Sequence, residues 1–263
     1  MAALDVGRDL WRPRKVSVRT REELAHEWDQ VAAYRDRQIE QGRDLSYLHV
    51  LLPSITELLP ARYSSVLDVG CGTGYFTGAL AKESRDVAVT GIDPSAASIE
   101  IARQRCAHLD NVELHALSVE AFAERQAPGT FDVVIANMVL ENVACLTEFL
   151  AATRRLVAPG GRFLIAIPHP CFWPRYWGYE DADWFCYGDE TWIEAPFRTS
   201  LSTAPGAATT HVHRSLETYI DALADAGFLV ERLREPYPGD QVKRRYPAAW
   251  SFPRFLVLRC RPV

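Results

Sequence analysis

An α/β fold, doubly wound around a parallel sheet, is predicted by two observations and one rule of chain topology. Short β-branched runs alternate with longer helical stretches from residue 65 to residue 167, the pattern of βαβ units. A turn with three glycines, Gly70-Cys71-Gly72-Thr73-Gly74, joins the first of these runs to the helix after it. Crossovers between parallel strands are right-handed, which puts helices on both faces of the sheet.

The elements follow in order. Thr20-x-x-Glu23 is a capping box that starts an amphipathic helix running to about Gln41, and a second helix near Leu45–Leu59 leads into the sheet. The strands are Ser65–Val69, Val87–Ile92, Val112–His115, Phe131–Ala136 and Arg162–Ile167. Between them lie helices at Tyr75–Glu83, Ser95–His108 with a serine N-cap, and Cys145–Leu156, the last ending before the turn Pro159-Gly160-Gly161. Pro168–Val212 breaks the alternation; Ser215–Ala226 then reads as helix, and Phe228–Glu235 and Phe252–Cys260 as strands. The expected organisation is an N-terminal arm and helical lid over residues 1–60 and a second unit over 61–263, with an insertion at about 168–212.

Composition narrows the function. With 263 residues, 48% hydrophobic and 24% charged, the chain can bury a sizeable core. No run approaches the roughly 18 uncharged apolar residues of a membrane span, and Asp5, Arg8 and Asp9 stand where a signal peptide would be apolar, so a cytoplasmic protein without membrane contact is expected. Six scattered cysteines (71, 106, 145, 171, 186 and 260) form no Cys-x-x-Cys pair, so reduced thiols and no metal site are expected. A net charge of −5 argues against nucleic acid as partner; the one basic run, Arg8 to Arg21, is flanked by Asp9, Glu22 and Glu23 and reads as a solvated arm.

The glycine turn bears on the cofactor. The dinucleotide pattern Gly-x-Gly-x-x-Gly fails in both frames, at Tyr75 and at Thr77, and no Gly-Lys-Ser/Thr of a P-loop follows. What remains is Asp-x-Gly-x-Gly-x-Gly. In Leu67–Gly74 the chain resembles the class I S-adenosylmethionine-dependent methyltransferases, of the bacterial small-molecule type. Gly91-Ile92-Asp93-Pro94-Ser95, Phe131–Asn137 and Leu156-x-x-Pro159-Gly160-Gly161-x-Phe163 fall in that family's order, and the stretch His213–Phe228 looks like its late segment. The resemblance implies a Rossmann-like sheet of seven strands, mostly parallel with an antiparallel last strand, and S-adenosylmethionine as cofactor with S-adenosylhomocysteine as product. It assigns the cofactor to Asp68, Gly70, Cys71, Gly72, Gly74, Asp93, Pro94, Ser118, Val119 and Asn137. Asp68 would orient the amino group, the glycines would admit the ligand against the backbone, and Asp93 would hold the ribose. One departure is Ser118, at a position where the family commonly carries Asp near the adenine.

Substrate elements should surround the carboxyl ends of the strands. Pro168–Val212 holds ten aromatic residues and six carboxylates against only Arg175 and Arg198, which favours an apolar or cationic small molecule, an amine among them. Tyr176 and Trp177 of this insertion, with Trp28 and Tyr34 of the N-terminal helix, are the expected substrate contacts. His169, Glu141 and His213 are the candidate acid–base groups. The expected reaction moves a methyl group to N or O of a small molecule, an amine or aromatic metabolite of secondary metabolism among the candidates. The alternatives are methylation of a peptide terminus or tRNA, and a cofactor-dependent cyclisation or rearrangement without methyl transfer. A homodimer would follow if the insertion and the Trp11 arm expose an apolar patch.

Overall fold

The computed structural model describes residues 12–263, so Trp11 and Arg8 lie outside the described residues. In chain order the elements are β1 (Arg14–Lys15), α1 (Arg21–Glu40), a π-helical turn (Tyr47–Leu51) continuing into α2 (Leu52–Glu57), β2 (Ser65–Val69), α3 (Tyr75–Glu83), β3 (Ala88–Ile92), α4 (Ala96–Cys106), β4 (Val112–His115), α5 (Val119–Arg125) and β5 (Phe131–Asn137). A 3-10 turn (Leu140–Asn142) precedes α6 (Leu146–Leu156) and β6 (Val157–Pro168). The chain ends with α7 (Trp173–Trp177), β7 (Thr191–Thr199), β8 (Ser202–His213), α8 (Leu216–Asp225), β9 (Phe228–Arg234), α9 (Asp240–Lys243) and β10 (Phe255–Pro262).

Seven strands form the main sheet in the order β4-β3-β2-β5-β6-β10-β9. Strands β2 to β6 pair in parallel, and β10 is antiparallel to both β6 and β9, as expected for the last strand. The central strands are buried on both faces, and the two-residue period sorts their side chains into two cores. Leu67, Val69, Val134 and Ala136 pack on one face with Phe149, Leu150 and Leu223; Val66, Val133 and Ile135 pack on the other with Phe76, Leu80 and Ile55. No helix of the described residues is long and apolar enough to cross a membrane.

Several expectations change. Pro159-Gly160-Gly161 lies within the span of β6, but Phe131 pairs with Val157 and Val133 with Arg162, so residues 158–161 bulge out while pairing resumes on either side. Helix α5 has no counterpart among the expected helices; it is capped by Ser118, whose Oγ accepts from Ala121 N–H. The insertion is an antiparallel hairpin, β7 with β8, and β1 pairs with β7 to make a three-stranded sheet. The basic arm, where it is described, is therefore an edge strand and not a solvated tail: Arg14 donates to Glu194 at 2.6 Å.

Helix α1 starts on the expected capping box, with Thr20 and Glu23 satisfying each other's backbone N–H. Its apolar face packs on the hairpin through Leu24 against Trp192 and Val212, and through Val31 against Phe197 and Ala204. Its polar face meets α4: Asp29 accepts from Ser95 Oγ (2.6 Å) and Ala97 N–H (3.0 Å), and Arg105 pairs with Asp36 (2.6 Å) and Glu40 (3.0 Å).

Gly74 opens α3 at φ +74°, where a Cβ would sit 2.8 Å from the Cβ of Ala102 on α4. Gly74→Ala combines left-handed backbone strain with this clash and is expected to cost about 1–3 kcal/mol. Urea denaturation measures it, and an unchanged midpoint would show that α4 yields without cost.

Candidate active site

The turn after β2 has positive φ at Gly70, Gly72 and Gly74, and folds back so that the N–H groups of Gly70 (2.8 Å) and Cys71 (3.0 Å) donate to the carbonyl of Ile92. Asp93, just past β3, accepts from Gly72 N–H at Oδ2 (2.9 Å) and from Ser95 N–H at Oδ1 (2.8 Å). One carboxylate thus fixes both the glycine turn and the start of α4. Burial pushes its pKa up to about 6 against these two hydrogen bonds. Asp68 is buried at the end of β2, accepts from Thr77 Oγ1 (2.6 Å) and is pushed up by burial to about 7.

These groups line a first cavity of about 1320 Å³, the open solvent at its mouth included. It brings together Asp68, Gly70, Cys71, Gly72, Asp93, Pro94, Ser118, Val119 and Asn137 from the expected set, with Leu117, Val143 and Phe149 as apolar wall. Gly74 does not line it and packs on α4 instead. Two observations fit a nucleoside-bearing cation. A Cβ on Gly72 would meet nothing within 4 Å, so the turn leaves room for a ligand against its backbone. Asn137 Oδ1 is buried without a partner, which with Asp68 and Asp93 makes a chamber rich in acceptors for hydroxyl and ammonium donors.

A second cavity, about 970 Å³ counted the same way, adjoins the first. Trp28, Arg35, Tyr47, Met138 and Asn142 line both and mark where the two meet. Met138 stands at φ 60°, the one non-glycine residue with positive φ among those described. Its N–H donates to Ala166 (2.7 Å), and its carbonyl accepts from Asn142 Nδ2 (3.1 Å). Buried Arg214 holds the following turn by donating to the carbonyls of Leu140 and Val143, both at 3.0 Å, and to Glu190 at 2.7 Å. That turn presents Glu141 to the second cavity, 5% exposed, with Oε2 lacking a partner and burial raising its pKa to about 8.

The remaining expected residues separate. Tyr176 and Trp177 line the second cavity, and Trp28 lines both. Tyr34 lines neither; its hydroxyl bonds Ser202 Oγ (2.7 Å) and donates to the Thr203 carbonyl (2.8 Å), fastening α1 to the hairpin. His169 also lines neither: Nε2 meets Glu235 at 2.9 Å, and Nδ1 accepts from Cys171 N–H at 3.2 Å, so both ring nitrogens are engaged. His213 is turned to the Tyr187 carbonyl (3.0 Å) and packs on Phe185. His211 lies in the second cavity, with Nε2 unpartnered and burial lowering its pKa to about 4, so the ring is neutral.

The carboxylates of the insertion, Glu180, Asp181, Asp183, Asp189, Glu190 and Glu194, are absent from the cavity walls, and the second cavity carries Arg35, Arg198 and Arg254 beside Asp44 and Glu141. The acidity of the insertion therefore does not face the cavities. Arg254 and Tyr47 carried no sequence signal, since a long-range fold brings them to the site from opposite ends of the chain.

Comparison with known proteins places this geometry. Residues 67–163 match the family described as "Methyltransferase domain". The ubiquinone biosynthesis O-methyltransferase of Paracidovorax citrulli is 35% identical over 142 residues, 53% of this chain and 56% of that protein. The one from Pseudomonas aeruginosa strain LESB58 is 34% identical over 148 residues, 55% of this chain and 59% of that one. The matches thus span little more than half the length of these curated relatives.

Solved structures share the fold over a longer stretch. A putative S-adenosylmethionine-dependent methyltransferase from Listeria monocytogenes superposes with a TM-score of 0.65 at 21% identity, covering 81% of this chain and 96% of that one. The 1,6-didemethyltoxoflavin-N1-methyltransferase of Burkholderia thailandensis, solved with 1,6-didemethyltoxoflavin and S-adenosylhomocysteine, has a TM-score of 0.61 at 18% identity, covering 96% and 95%.

The Glu141 carboxyl predicts a pH effect. Its ordinary pKa is 4.5 and its folded value about 8, so between these the fold binds a proton that the unfolded chain releases. This stabilisation is complete below about pH 4.5 and is lost as the pH rises through about 8. Glu141→Gln should therefore lose less stability than the wild type between about pH 5.5 and 8.5, on the order of a few kcal/mol less. Urea midpoints that fall in parallel for the two proteins would show that the carboxyl is not held neutral.

Proposed function

Given a methyltransferase domain at residues 67–163 and the class I methyltransferase fold, we propose that this chain binds S-adenosylmethionine in the first cavity and transfers its methyl group to N or O of a small molecule in the second. The observation that carries this reading is the meeting of two chambers, one lined by unused acceptors at a glycine turn and the other by aromatic rings, across the shared wall of Trp28, Arg35, Tyr47, Met138 and Asn142. The O-methyltransferase relatives and the N1-methyltransferase neighbour support both acceptor atoms.

When bound, the sulfonium supplies a methyl group open to direct displacement by a lone pair. The rest falls to the protein. Asp93 keeps lone pairs beyond its two backbone hydrogen bonds and accepts from the ribose hydroxyls. Asp68 and the Asn137 Oδ1 atom receive donors of the amino-acid end, and Ser118 and Val119 with Leu117 border the ring. Trp28, Tyr47 and Met138 exclude water and hold the two ligands in line. Glu141 Oε2 is the group that takes the acceptor proton in its ionised form, which burial makes a stronger base than an exposed carboxylate but confines to the fraction ionised as the pH approaches about 8.

The direct experiment gives the purified protein methyl-labelled S-adenosylmethionine and an extract of its source cells, then asks which fraction carries label. Label in small molecules supports the proposal; label in RNA or protein changes the acceptor class. Cofactor binding without any label moves a non-transferase reaction to the front. In parallel, Asp93→Ala should weaken S-adenosylhomocysteine by about 1–3 kcal/mol in calorimetry. An unchanged dissociation constant would remove Asp93 from the ribose.

A further inference from the structure

Two guanidinium groups in the wall of the second cavity lack the counterions that such groups ordinarily have. Arg35, the third cation there, is neutralised by Asp44 at 2.5 Å. Arg198 and Arg254 meet no carboxylate within 4 Å among the described residues. Both lie instead over aromatic rings: Arg198 Cζ is 3.9 Å from the Trp177 ring centroid, and Arg254 Cζ is 4.1 Å from that of Tyr176 and 4.4 Å from that of Trp250. Arg254 is only 2% exposed. Its Nη2 donates to the carbonyls of Ala248 (3.1 Å) and Ala249 (3.0 Å), and its Nε is buried with no partner.

Arg254, a buried cation held by ring faces and two carbonyls, is incompletely compensated, because these offset part of the lost hydration and a paired carboxylate offsets more; Arg198 is exposed to solvent. The other unpaired acid on this wall, Glu141, is held mostly protonated at neutral pH by burial. The chamber therefore carries net positive charge. Trp177 Nε1 is a second buried donor without a partner, and the rings of Trp173, Tyr176 and Phe197 leave flat apolar walls between the donors.

We propose that the second cavity takes a planar aromatic or heteroaromatic molecule bearing an anionic oxygen group, with Arg198 and Arg254 Nε on the anion and Trp177 Nε1 donating beside them. The inference deepens the methyl-transfer reading, and rests on it only in calling this molecule the acceptor. An anion completes the pairing that the protein leaves open, and at Arg254 Nε the charge-assisted hydrogen bond displaces no protein partner.

The test uses the full chain saturated with S-adenosylhomocysteine and four probes of one size: 4-hydroxybenzoate, 4-nitrophenol, neutral 4-hydroxybenzyl alcohol and cationic tyramine. Calorimetry at about pH 8 should find 4-hydroxybenzoate or 4-nitrophenolate bound about tenfold or more tightly than the neutral alcohol, with tyramine weakest. The stronger of the two anions distinguishes a carboxylate from an ionised ring oxygen as the recognised group. Arg198→Met and Arg254→Met should each reduce the anion preference about tenfold while leaving S-adenosylhomocysteine binding unchanged. Arg198 lies at the rim, so its variant keeps the test open if Arg254→Met fails to fold. Tyramine binding as well as the anions, equal losses for neutral and anionic probes in the variants, or no probe binding while S-adenosylhomocysteine binds would each overturn the inference. Failure of S-adenosylhomocysteine itself to bind would instead overturn the methyl-transfer reading.

Discussion

The carboxylate of Asp93 holds three parts of the molecule in one place. Its two oxygens take the N–H groups of Gly72 and Ser95, so the glycine turn and the start of α4 are registered to the end of β3. Ser95 also caps α4 and donates its hydroxyl to Asp29, which brings α1 to the same point. Hydrogen bonds to a charged acceptor are stronger than neutral ones, and a buried carboxylate tolerates few vacancies around it. The position of the turn, of the helix beneath it and of the helix above it therefore follow from one side chain.

A similar economy shapes the wall between the chambers. β5 ends at Asn137, and the next residue, Met138, takes a left-handed conformation that most side chains avoid. Hydrogen bonds from both sides of the turn offset the strain: Asn142 returns to the Met138 carbonyl, and Arg214 closes the turn through the carbonyls of Leu140 and Val143. Arg214 is itself paired with Glu190, so a residue of the hairpin region fixes the turn that carries Glu141.

What the sequence discloses is what local chemistry determines. The five central strands, the glycine turn and the capping box at Thr20 each depend on residues a few positions apart, and the structure has them where the pattern predicts. Helix α5 escaped because a seven-residue helix spans under two turns and offers little periodicity. The hairpin β7–β8 escaped because its strands contain Pro196, Pro205 and Gly206, residues that ordinarily interrupt a strand. His169 shows a different limit. Standing next to a strand end fixes its backbone, while a partner 66 residues away, Glu235, decides where the ring points. Charge counting misled for the same reason: the insertion is acidic overall, yet its carboxylates serve Arg14, Arg175 and Arg214 or face away from the chamber, and Arg198 remains on its wall.

The two seams of α1 differ in kind. Against the hairpin it is joined by buried apolar side chains, with hydrogen bonds of Tyr34 and Glu27 beside them, whereas against α4 it is joined by Asp29, Asp36 and Glu40 to polar groups alone. Water competes well for the second set and poorly for the first. Helix and hairpin thus form one roof, whose weaker edge runs along α4. Arg198 belongs to that roof, while Arg254 stands at the foot of β10 in the main sheet. A ligand that touched both would be a mechanical tie between roof and floor.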